Sequence, residues 1–99
     1  MSKIDTKITH ITGADDNIFS DLGFEPEEAV KLKIKSQLMA EISEWIKGQH
    51  LKQEDAAKIL GVSRPRVSDV MTGKIGKFTI DTLVDLLERT GKHVTVNVA

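Results

Sequence analysis

Apolar residues recur at helical spacing through the middle of the chain. Val30, Ile34, Leu38, Ile42, Trp45 and Ile46 follow at intervals of three and four, which sets them on one stripe and predicts a helix of about twenty residues. Glu25, Pro26, Glu27 and Glu28 mark its start, because proline suits the first turn and acids complement the helix dipole. Gly48 marks its end. A shorter helix is predicted from Gln53 to Leu60, with Ala56, Ala57, Ile59 and Leu60 as its packing face and Gly61 as its left-handed terminator. A third carries Val67, Val70 and Met71 inward and stops near Gly73, and KIGKF then reads as a loop. The fourth spans Thr79 to Thr90, capped by Thr79, striped by Ile80, Leu83, Val84 and Leu87, and closed by Gly91.

The period changes only at the ends. In HVTVNV, Val94, Val96 and Val98 alternate with His93, Thr95 and Asn97, the pattern of a strand with one buried face. Such a strand requires a neighbour, either the N-terminal arm or a second copy of the chain. The first twenty residues hold neither period for long and read as an arm, either flexible or with a short strand. The expected fold class is all-α: a domain of four main helices over residues 21–99 with a C-terminal β-strand at 92–98, preceded by an N-terminal arm over residues 1–20.

Composition narrows the functional classes. Ninety-nine residues suffice for one core. Without cysteine there is no disulfide, thiol nucleophile or Cys-based zinc site, and the polar N-terminus with no long apolar run points to a cytoplasmic protein without a leader or membrane span. The net charge of −1 conceals an asymmetry. Residues 1–30 hold seven acids against Lys3 and Lys7, whereas Lys47, Lys52, Lys58, Arg64, Arg66, Lys74 and Lys77 face only Glu54, Asp55 and Asp69. A basic middle calls for a polyanionic partner, and nucleic acid is the first choice.

The segment QEDAAKILGVSRPRVSDVMTG then acquires a meaning. Two short helices joined by a tight turn need a small residue at their contact, a residue tolerant of positive φ, and an apolar plug. Ala57, Gly61 and Val67 supply these in order, the pattern of a helix-turn-helix. In that motif the second helix enters the DNA major groove N-terminus first, which selects Arg64, Pro65, Arg66 and Asp69 as base-reading candidates. Arg64 is placed to bind guanine through two parallel hydrogen bonds. Arg66 either does the same, turns to phosphate, or pairs with Asp69 three residues on. Asp69 accepts from a cytosine amino group or orients Arg66. Gln53, Ser63, Ser68, Lys74 and Lys77 are the phosphate-binding candidates. Proline is tolerated at the front of this helix, where N–H groups have no helical acceptor. Either Ser63 caps it, bonding to the N–H of Arg66, or Arg64 is the cap and Pro65 opens the helix.

Gln53, Ala57, Gly61, Val62, Ser63 and Val67, followed by Gly73, resemble the helix-turn-helix of the lambda-repressor-like (XRE, Cro-type) superfamily. The wider string of FSDLGF, GVSRPRVSDVMTGK and KFTIDTL with a valine-rich end resembles short members of it, many of them HigA-like antitoxins encoded beside a RelE/HigB-like toxin. The resemblance implies a lambda-repressor-like fold, homodimeric binding to an inverted-repeat operator in double-stranded DNA, autorepression, and phosphate contact at Gln53. It equally admits a module whose main role is to neutralise the toxin. Pro65 departs from the superfamily, which often carries a polar base-reading residue there, and either stiffens the leading end of the helix or offers its ring to a thymine methyl.

Other chemistry finds little support. His10, His50 and His93 are about forty residues apart with no neighbouring ligand, so no metal or other cofactor is expected. Ser63, Ser68 and Asp69 lack a nearby histidine or a nucleophile elbow, and GKIGK has the wrong spacing for a phosphate-binding loop. No enzyme activity is expected.

Overall fold

The long apolar stripe forms one unbroken helix. In the structure, a computed structural model that describes residues 4–8 and 17–99, it is α2 (Pro26–Gly48), with Pro26 at its first position and Glu27 and Glu28 in its first turn. A four-residue helix, α1 (Ile18–Asp21), precedes it. Asn17 joins the two: its Oδ1 accepts from the N–H of Phe19 at 2.9 Å, and its amide donates to the Ala29 carbonyl at 2.8 Å. A buried amide needs such partners, and here they fix α1 on the first turn of α2.

The chain continues through α3 (Gln53–Leu60), α4 (Arg64–Met71), a 3-10 turn (Ile75–Lys77), α5 (Ile80–Arg89) and β2 (Lys92–Val96). The expected class holds: the protein is mostly helical, with α2, α3, α4 and α5 as its main helices and a C-terminal strand. Thr79 caps α5 by accepting from the N–H of Thr82 at 3.1 Å. The core joins Leu38, Ile42 and Ile46 of α2 to Leu60 of α3, Val67 of α4, and Leu83 and Leu87 of α5.

Three packing expectations require correction. Ile59 is 47% exposed, because the buried arc of α3 centres on Ala56, Ala57 and Leu60, and at 100° per residue Ile59 falls about 105° from that centre. On α2, Ala29, Leu32 and Met39 are buried, while Ile34 and Trp45 pack only against the rim of the core. In the tail only Val94 reaches the core, since β2 ends at Val96, and Val96 and Val98 are exposed.

The strand finds its neighbour within the chain. β1 (Ile4–Ile8) lies parallel to β2, in register from Ile4 opposite Lys92 to Ile8 opposite Val96. Of the arm expected over residues 1–20, residues 1–3 and 9–16 lie outside the described residues, His10 among them. Lys92 anchors β2 to α2 through a 2.9 Å ion pair with Glu41. On the opposite flank, the carboxylate of Glu88 accepts from the Val94 N–H at 3.3 Å and lies 3.2 Å from the His93 ring. Among the described residues no helix is long and apolar enough to cross a membrane.

Candidate nucleic-acid interface

The turn between α3 and α4 is built by the residues that its spacing selected. Ala56, Ala57 and Val67 are buried where the two helices pack. Gly61 adopts φ +69° as the C-cap of α3, its N–H donating to the Ala57 carbonyl, and the Val62 N–H reaches the same oxygen at 3.1 Å. Arg89 completes the cap from α5, donating to the Leu60 carbonyl at 2.6 Å. A Cβ on Gly61 would lie 3.3 Å from that guanidinium. Gly61→Ala is therefore expected to cost about 1 to 2 kcal/mol, the penalty for a Cβ in left-handed backbone, measured as a fall in the urea midpoint at unchanged slope.

The front of α4 resolves the question of the cap. Ser63 is the N-cap, in extended backbone, and its hydroxyl accepts from the N–H of Arg66 at 3.4 Å while its carbonyl accepts the same N–H at 3.1 Å. Arg64, Pro65 and Arg66 are thus the first three helical residues. The missing N–H of Pro65 falls where no intrahelical bond was available.

Helical geometry sorts the remaining side chains. Val67 and Val70 face the core, so the outward face carries Pro65, Ser68, Asp69 and Thr72. Arg64 and Pro65 are exposed at the leading end. Thr72, exposed and bonded through its hydroxyl to the Ser68 carbonyl at 2.8 Å, lies on this face too, though its polar spacing gave it no prominence in the sequence. Gln53 sits at the first position of α3 and turns its amide toward the Met71 sulfur at 3.9 Å. Lys52, Gln53, Glu54 and Arg64 line a shared hollow of about 250 Å³ between the leading ends of the two helices.

Arg66 and Asp69 do not pair with each other. Arg66 bends back over the loop, donating to the Lys77 carbonyl at 2.9 Å and stacking its guanidinium 4.2 Å above the ring centre of Phe78. Asp69 meets Lys74 at 3.5 Å and Lys77 at 3.6 Å. Two side chains of α4 thereby tie down the loop after it. Phe78 is the residue that sequence reading passed over: within KIGKF it looked like loop, but it is buried in the core and supplies the platform for Arg66. Arg89 was passed over as well, and its contact spans 29 residues without any local signal. Among the described residues no three histidine, aspartate or glutamate side chains gather as metal ligands.

Two short helices packed through Ala57 and Val67, a left-handed glycine between them, and a polar exposed face on the second define a helix-turn-helix domain, a class that binds DNA. The family model for the helix-turn-helix domain matches residues 18–99, and the chain belongs to that family. No curated protein matches the chain.

Proposed function

We propose that the protein is a sequence-specific repressor of the lambda-repressor-like (XRE, Cro-type) kind, which binds double-stranded DNA at an inverted repeat as a homodimer. The supporting observation is the leading end of α4, where Arg64 and Pro65 project from a rigid, Ser63-capped helix. In this reading Arg64 contacts guanine, Pro65 offers its ring to a thymine methyl, and Gln53, Ser63, Ser68, Lys74 and Lys77 contact phosphates. Arg66 and Asp69, which the sequence also selected for base reading, are instead engaged with the loop. The exposure of Val96 and Val98 supports the C-terminal end as the dimer contact.

The test is binding to duplex DNA from upstream of the protein's own gene, titrated from about 50 to about 200 mM salt beside a random duplex. Preference for the upstream DNA by roughly a thousandfold is the expected outcome. Failure to bind either duplex at low salt would sink the proposal.

A finer reading makes the protein a HigA-like antitoxin that represses its own operon and neutralises a RelE/HigB-like toxin. Ile18, Leu22 and Phe24 support it: all three are exposed, beside the acids Asp21, Glu25, Glu27 and Glu28, and an apolar patch with an acidic rim suits a basic protein. Co-purification with the product of the adjacent gene is the expected result, and a neighbour unrelated to such toxins contradicts it.

A further inference from the structure

The ion pairs of Asp69 have a consequence for specificity. Asp69 lies on the outward face of α4, yet its side chain is only 14% exposed, with the ammonium groups of Lys74 and Lys77 at 3.5 and 3.6 Å. The two ammonium groups remain open to solvent, at 54% and 58% side-chain exposure. One carboxylate thus sits against two cations, and Arg66 holds the backbone just after Lys77 by its bond to the Lys77 carbonyl. The loop cannot swing the lysines away without breaking that bond and unstacking Arg66 from Phe78.

We propose that Asp69 is a specificity-determining residue that acts through Lys74 and Lys77: it fixes both ammonium groups and cancels part of their pull on phosphate, which suppresses binding to random DNA more than binding to the operator. The proposal rests on the DNA-binding reading above. The physical reason is that phosphate attraction is blind to sequence. Ammonium groups held by Asp69 present their charge at one fixed register, which the base contacts at the operator match, whereas on random DNA they cannot follow the phosphates wherever the protein lands. A carboxylate that faced the groove uncovered would repel the duplex, whereas under two lysines it leaves a single net positive charge in the triad.

The experiment compares the wild-type protein with Asp69→Asn on heparin and on two duplexes, one from upstream of its own gene and one of random sequence. Asp69→Asn is expected to elute from heparin at higher salt, to bind random DNA about 5- to 10-fold tighter with a log–log salt slope steeper by about one, and to gain less on the upstream duplex. Asp69→Glu, which keeps the charge, is expected to elute like wild type, and in a Lys74→Gln/Lys77→Gln background, where the carboxylate is uncovered, Asp69→Asn is expected to raise binding to both duplexes alike by relieving direct repulsion. Unchanged or earlier elution of Asp69→Asn, an equal gain on both duplexes, or a selective gain on random DNA that persists without the lysines overturns the proposal. Wild-type protein that binds neither duplex overturns the DNA-binding reading and this proposal together, whereas wild-type binding with an unaltered Asp69→Asn overturns this proposal alone.

Discussion

Arg64→Ala is expected to abolish most of the preference for the operator while leaving affinity for random DNA close to wild type. The side chain is exposed at the first position of α4, and removing it leaves the Ser63 cap intact, since the capping bond goes to the N–H of Arg66. A bidentate arginine–guanine contact discriminates by about 1 to 3 kcal/mol, so a dimer with two half-sites stands to lose roughly 2 to 6 kcal/mol. Loss of one charge per protomer weakens random DNA only by the share of phosphate attraction that Arg64 provides. Anisotropy titrations with the upstream and random duplexes separate the two effects. Equal losses on both would demote Arg64 from base reader to phosphate contact.

The second large effect is on folding. Leu60→Ala is expected to remove about 2 to 5 kcal/mol of stability by opening a cavity, a large part of the roughly 5 to 15 kcal/mol available to a domain of this size. Leu60 is fully buried at the end of α3, and its carbonyl receives the Arg89 guanidinium. Its loss therefore loosens both the core and the cap that sets the turn. Ile59→Ala, one residue away, is expected to cost less than about 1 kcal/mol, because that side chain is half exposed. Urea denaturation of the two variants side by side measures the contrast, and similar costs would contradict the packing of α3.

These neighbours also show how far the sequence was legible. The presence and limits of the four main helices followed from period and caps, with Pro26, Gly61, Ser63 and Thr79 each acting where local chemistry puts them, whereas α1 begins in the stretch read as an arm. Which side of a short helix is buried did not follow so well. An eight-residue helix such as α3 makes barely two turns, so Ile59 and Leu60 look alike until the position of α2 and α5 is known. Alternation in the tail misled for a related reason. Of Val94, Val96 and Val98 only Val94 packs against the core, because the strand ends at Val96 and leaves the last two valines exposed.

At the candidate interface, contacts local in sequence were readable and tertiary ones were not. The bond from the Arg66 N–H to Ser63 was derivable because Pro65 has no N–H to offer. Spacing also made Arg66 and Asp69 look like partners across one helical turn. Each found a better one in the loop: a ring and a carbonyl for Arg66, and two ammonium groups for Asp69. Nothing in a helical repeat encodes where the following loop folds back. The roles of these two residues therefore depend on the tertiary placement of Lys74, Lys77 and Phe78.

The leading end of α4 as the DNA-contacting surface is tested most directly by following the backbone amide resonances of the protein as the upstream duplex is added. The largest shifts are expected at Ser63, Arg64, Arg66, Ser68 and Asp69, with further shifts at Gln53 and from Lys74 to Lys77. Shifts centred on α1 or β2, with the amides of α4 unmoved, would contradict it.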